Sequence, residues 1–179
     1  MIQVVRAKLH GIRVTGADLE YHGSITLDPE LCERAGFYPL EFVEIWNKTT
    51  GARISTYVIH GEPGSRCCIL NGAAARTCAP GDELIIAASE YLQPAELHEL
   101  QSKVLTFGED NQVDQELAYE VFKGPEREFD FRVVDLETRL PQALQLTGGV
   151  DLDGVRAELQ EKGWSTDEVE AFCAAHFPG

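Results

Sequence analysis

Tyr21-His22-Gly23-Ser24-Ile25 is the stretch on which the reading of this 179-residue chain turns. Its plain reading is a polar corner between two strand-like runs. Gly permits a positive φ there, and Ser hydrogen-bonds its own backbone. The second reading is chemical. A Ser hydroxyl attacks the carbonyl before it when the peptide is held in a strained geometry, and a preceding Gly carries no Cβ to block the approach. The product is an ester. Loss of the Ser α-proton then cleaves the ester and leaves a dehydroalanine, which hydrolyses to a pyruvoyl group. Such a ketone can form a Schiff base with an amino acid and accept electrons, as pyridoxal phosphate does. That chemistry needs an oxyanion donor, a proton shuttle and cations for substrate carboxylates.

Outward from this corner, the first 90 or so residues read as short strands. Residues 2–7 and 11–15 are β-branched and alternating, as two strands or one bent strand. Ser24 to Leu27 alternates again. Asp28 is placed to cap a short helix that starts at Pro29 and stops at Gly36. Phe42–Trp46 and Arg53–Ile59 flank an Asn47-Lys48-Thr49-Thr50-Gly51 turn and predict a hairpin. Cys67–Leu70 and Leu84–Ala88 are further strands, and Asn71-Gly72-Ala73-Ala74-Ala75 can start a helical turn. Many short strands with little helix predict a small β-barrel or sandwich. A helix is expected over Pro94–Lys103 and a short strand over Val104–Phe107.

Beyond about Pro125 the texture changes. Phe129, Phe131 and Val133 alternate, and a loose stretch runs through Thr147-Gly148-Gly149. Two helical patterns follow: Leu152, Val155 and Leu159, stopped by Gly163; then Val169, Phe172, Cys173 and Phe177, opened by Ser165 or Thr166. They predict an αα-hairpin with Trp164 at its corner. The expected division is a barrel domain over 1–123 and an extension over 124–179. The extension either packs as a structural element or presents a docking face.

The net charge of −15 makes nucleic acid and membrane surfaces poor partners and means that an anionic substrate must meet locally placed cations. No apolar run approaches the ~18 residues of a spanning helix, and the charged opening Met1-Ile2-Gln3-Val4-Val5-Arg6 argues against a secretory leader. Five cysteines without CxxC spacing suggest reduced thiols and a cytoplasmic protein, with neither a disulfide framework nor a metal site.

Candidates for the chemistry lie close together in sequence. Lys8 and Arg53 are cations on strand-like runs, Thr56 and Tyr57 follow Arg53, and Asn71-Gly72-Ala73-Ala74 offers an amide and close-approach backbone N–H groups. Taken singly, each has an ordinary reading: a surface lysine, a solvated arginine, a strand aromatic, an Asn-Gly turn. His10 is either an aid to processing or a structural histidine.

Taken in order, the set is specific. Lys8-Leu9-His10, Val14-Thr15, Ala17-Asp18-Leu19, Tyr21 and Gly23-Ser24 resemble the N-terminus of the pyruvoyl-dependent aspartate 1-decarboxylases. So do Ile45-Trp46-Asn47, Gly51-Ala52-Arg53, Ser55-Thr56-Tyr57, Gly64-Ser65, Asn71-Gly72-Ala73-Ala74-Ala75 and Gly81-Asp82. Gly11, Gly16 and Arg76 depart from the family pattern, which often has larger residues at the first two and His at the third. The resemblance covers about residues 1–90 and does not reach the extension.

The resemblance implies a mainly β fold, a double-psi β-barrel with short helices, here with a C-terminal helical extension. It implies decarboxylation of L-aspartate to β-alanine and CO2 for pantothenate biosynthesis, after autocatalytic cleavage at Gly23-Ser24. Ser24 becomes the covalently bound pyruvoyl group, with no metal and no pyridoxal phosphate. Tyr57 matches the proton donor. Thr56 matches a residue that assists processing and contacts substrate. Gly72, Ala73 and Ala74 match the substrate-binding backbone, Lys8 and Arg53 the cations facing the carboxylates, and Asn71 and Tyr21 polar residues of the pocket. Tyr21, Thr56 and His10 join Gly23 and Ser24 as processing candidates. The implied assembly is a homotetramer with active sites between subunits, and a maturation factor is a further candidate partner. The competing expectation is a non-catalytic double-psi barrel that binds ligand reversibly and uses its tail for docking.

Overall fold

The computed structural model describes residues 1–138, 141–142 and 152–176. It divides into two units, Met1–Leu140 and Pro141–Gly179. The first unit opens with one long strand, β1 (Ile2–Arg13), whose pairing with β7 (Glu83–Leu92) slips between Val5 and Ala7 and again between His10 and Ile12. Those slips bend it, so the two expected runs are one curved strand.

Strands β2 (Gly16–Asp18) and β3 (Ser24–Leu27) flank the Tyr21–Gly23 corner. Helix α1 (Pro29–Ala35) forms as its caps dictate. The Asp28 carboxylate accepts from the Glu30 N–H at 2.9 Å, and Gly36 takes the left-handed conformation at φ 83°. Asp28 is buried and also accepts from the N–H groups of Gly64 and Arg66, so one side chain ties the helix start to a distant loop. β4 (Phe42–Asn47) and β5 (Arg53–His60) make the expected hairpin. β6 (Cys68–Asn71) leads into a 3-10 turn over Gly72–Arg76.

With β8 (Gln101–Phe107), β9 (Val113–Phe122) and β10 (Asp130–Asp135), the strands of the first unit follow the order β10-β9-β8-β1-β7-β4-β5-β3-β6-β2. Three pairs within it are parallel: β1 with β8, β2 with β6 and β3 with β5. Leu9, Ile12, Ile25, Leu27, Ile45, Val58, Leu70, Leu84 and Ile86 fill the interior with no exposed surface, at about 1.5–3 kcal/mol of burial each. The fold is mainly β, a double-psi β-barrel with short helices and a C-terminal helical part.

Two expectations are corrected. The helix over Pro94–Lys103 is only a 3-10 turn, Pro94–His98, closed by reciprocal Gln93 and Glu96 capping bonds. β8 begins at Gln101, because Ser102, Val104 and Leu105 are buried between β1 and β9 (Val113–Phe122). The expected boundary at 123/124 falls inside a hairpin. β10 (Asp130–Asp135) pairs antiparallel with β9 from Phe122 to Leu117, and Val104, Leu117, Val133 and Tyr119 pack as a second apolar cluster. The first unit therefore continues past residue 123 to Leu140.

The second unit contains the helical hairpin. α2 (Leu152–Glu161) and α3 (Thr166–His176) pack on each other, with Leu159, Val169 and Cys173 buried and Trp164 edge-on to Phe172 at 5.9 Å. Ser165 and Glu168 cap α3 reciprocally. The loose stretch through Thr147-Gly148-Gly149 and the final Phe177 lie outside the described residues.

Candidate active site

Pairing of β3 with β6 sets Ser24 directly opposite Asn71. Both are buried, at 1% and 2% exposure, which is unusual for polar residues and calls for partners. They are each other's partners. The Asn71 amide donates to Ser24 Oγ at 2.8 Å and to Thr26 Oγ1 at 2.8 Å, using both of its protons. The Ser24 hydroxyl in turn lies 3.2 Å from the His22 carbonyl and donates to it. The nucleophile candidate is thus dry, oriented and already facing an acceptor.

Immediately after Asn71, Gly72 has φ +59°, and a Cβ there would stand 2.9 Å from Gly23 Cα and 3.1 Å from the Tyr21 carbonyl oxygen. No side chain fits between these two backbones. Gly72 therefore brings the β6 end into close approach with Gly23, the residue that precedes Ser24. Gly23 itself has open space where a Cβ would be, so packing against neighbours does not demand glycine there.

A cavity of about 470 Å³ lies beside this contact, with Gly23, Asn71, Ala73, Ala74, Thr56 and Tyr57 among its lining residues. Phe42, Ile54, Ser55 and Thr77 complete the lining. Phe42 lies opposite Tyr57 in the β4–β5 pairing, with ring centres 6.0 Å apart. The 3-10 turn begins at the cavity wall and is closed by Thr77, whose hydroxyl donates to the Ala74 carbonyl at 2.8 Å. Tyr21 is about half exposed and lines a second, smaller cavity with Asn71 and Thr26.

The two cations lie outside this cavity, although Arg53 directly precedes the lining residue Ile54 on β5. Neither Lys8 nor Arg53 lines the 470 Å³ cavity. Lys8 Nζ donates to the Tyr119 hydroxyl at 2.7 Å, and the Arg53 guanidinium sits over the Trp46 ring at 5.3 Å. His10 is also outside the cavity. Its Nδ1 is buried with no hydrogen-bond partner, and burial, then Lys8 and Lys48, push its pKa below the usual histidine value against the pull of Glu83. Among the described residues no group of His, Cys, Asp or Glu is arranged to hold a metal ion, and no helix is long and apolar enough to cross a membrane.

Thr26, Phe42, Ile54 and Thr77 escape the sequence reading. Thr26 had a signal: two residues from Ser24 on a strand, it shares that residue's face. The others are common wall residues with nothing to mark them in advance.

The arrangement suits a self-cleaving serine: a buried hydroxyl, an amide donor on it, a second backbone in close approach to Gly23 and an open cavity beside the bond. The family model for aspartate decarboxylase matches residues 1–114. The chain is 58% identical over 178 residues to the aspartate 1-decarboxylase of Paramagnetospirillum magneticum, covering 99% of both chains. It is 71% identical over 136 residues to that of Rhodospirillum centenum, covering 76% of this chain and 90% of the relative. With that of Xanthobacter autotrophicus the identity is 62% over 135 residues, covering 75% and 90%. The first of these alignments takes in the C-terminal region, so the extension has a counterpart in that relative. On the family match and these identities, the chain belongs to the aspartate decarboxylase family.

Proposed function

We propose that this chain is an aspartate 1-decarboxylase that makes its own pyruvoyl group by breaking the Gly23–Ser24 bond. The observation that carries the reading is the buried Ser24 hydroxyl, gripped by Asn71 and flanked by the close approach of Gly72 to Gly23. Ser24 Oγ attacks the Gly23 carbonyl carbon, the C–N bond breaks, and an ester links the two segments. The Ser24 α-proton is then removed, the Gly23 carboxylate departs, and the dehydroalanine left at position 24 takes up water and releases ammonia. Residues 1–23 and 24–179 become separate chains. Thr56, Tyr21 and His10 assist this step; the reading is supported by Thr56 lining the cavity beside Gly23 and by Tyr21 sharing a second cavity with Asn71.

The pyruvoyl group supplies the electron sink that loss of an α-carboxylate requires. The chain's own residues supply the rest. Tyr57 gives a proton to the substrate carbon that has lost its carboxylate. Gly72, Ala73 and Ala74 bind substrate with their backbone at the start of the 3-10 turn. Lys8 and Arg53 meet the substrate carboxylates. In a homotetramer with active sites between subunits, a neighbouring copy completes the site, whose lining in one copy contains no cation. Phe42, in the cavity wall, is 71% exposed, as is Leu40 nearby, and such an apolar rim suits coverage by a second subunit. β-Alanine then enters pantothenate synthesis in the cytoplasm. Residues from 141 onward form a separate appendage.

Incubation of the cleaved protein with L-aspartate is expected to release CO2 and β-alanine in equal amounts. A non-catalytic barrel would bind aspartate reversibly and release neither. Absence of both products from fully cleaved protein overturns the reading.

A further inference from the structure

We propose that Tyr119 is a positioning residue that fixes the Lys8 ammonium for the substrate carboxylate. The proposal rests on the reading of Lys8 as a substrate-facing cation. Tyr119 lies on β9, beyond the 1–114 segment that the family model matches. β8 separates β9 from β1 in the sheet, and across it the Lys8 Nζ donates to the Tyr119 hydroxyl at 2.7 Å and stands 4.5 Å from the ring centre. The ring is itself fixed. It packs on Val104, Leu117 and Val133, and Phe131 of β10 meets its face nearly edge-on at 5.4 Å and 78°.

A lysine on a half-buried strand ordinarily extends its ammonium into water and samples many rotamers. Here a phenol and a π-face localise the charge without neutralising it. Tyr119 is a neutral acceptor, and among the described residues no carboxylate forms an ion pair with Lys8. One ammonium proton is used on Tyr119, and two remain for an anion. An acidic anchor would instead compete with the substrate for the same charge. The β9–β10 hairpin, whose distal strand lies wholly beyond the matched segment, thereby reaches the substrate site through one side chain.

The test is steady-state kinetics on processed enzyme carrying Lys8→Ala, Tyr119→Phe and both. Tyr119→Phe keeps the ring and its packing and removes only the hydroxyl. It is expected to raise KM for L-aspartate about 5- to 10-fold with kcat within about 2-fold, the pattern of lost ground-state binding. KM does not depend on how much of the preparation is folded and processed. In the Lys8→Ala background, Tyr119→Phe should change kcat/KM by less than about 2-fold, because its route of action is gone. If Lys8→Ala leaves KM unchanged, the reading of Lys8 fails and this proposal with it. If Lys8→Ala raises KM and Tyr119→Phe does not, the proposal alone is overturned. An equal effect of Tyr119→Phe in both backgrounds also overturns it, since Tyr119 then does not act through Lys8.

Discussion

Ser24→Ala is expected to remain a single chain and to make no β-alanine, a loss of activity of about 10³-fold or more. The substitution removes one oxygen from a buried position. Asn71 then loses one of its two acceptors but keeps Thr26 Oγ1 at 2.8 Å. The structural cost is about 1–2 kcal/mol, too little to unfold a barrel with this core. The variant side chain offers no nucleophile for the Gly23 carbonyl and no β-oxygen to eliminate, so both the cleavage and the pyruvoyl group are lost together. Intact mass, circular dichroism and CO2 release on the same sample separate this from misfolding. A folded, uncleaved Ser24→Ala protein that still decarboxylates aspartate contradicts the account.

Tyr57→Phe is expected to cleave normally and to turn over about 10²- to 10⁴-fold more slowly, the range lost with a positioned general acid. The Phe42 ring contact at 6.0 Å survives the change, so the cavity wall keeps its shape. What is lost is the one hydroxyl assigned to return a proton to substrate. The deficit should lie in kcat, and water or another acid will carry the residual turnover. Near-normal kcat removes Tyr57 from that role, and failure to cleave moves it from turnover to processing.

Local chemistry was the most legible part of this chain. Asp28 and Gly36 bracket α1 as cap and stop because each supplies something the helix ends lack. The Asn47–Gly51 turn closes its hairpin for similar reasons. The mutual approach of Ser24, Asn71, Gly72 and Tyr57 was legible only through the ordered resemblance, since β3, β6 and β5 meet by parallel and crossed pairings that no local pattern encodes. The β8–β10 region is legible only in part: the expected strand over Val104–Phe107 lies within β8 and the Phe129–Val133 alternation overlaps β10, while the helix over Pro94–Lys103 does not form. Pro94-Ala95-Glu96-Leu97 reads as a helix start, and its capping bonds do form, but burial of Ser102, Val104 and Leu105 against β1 claims the chain by Gln101. β9 carries polar residues on its outer positions and no flanking turn as sharp as Asn-Gly, so its pairing is a tertiary fact. Tyr119 was invisible for the same reason: its partner Lys8 lies 111 positions away.

The claim beneath all of this is that Gly23–Ser24 is consumed. The most direct measurement is the intact mass of purified protein, incubated until no further change. The account predicts two chains, residues 1–23 and residues 24–179, the larger lacking a free amino terminus because position 24 has become a pyruvoyl group. An active preparation that consists of one full-length chain contradicts it.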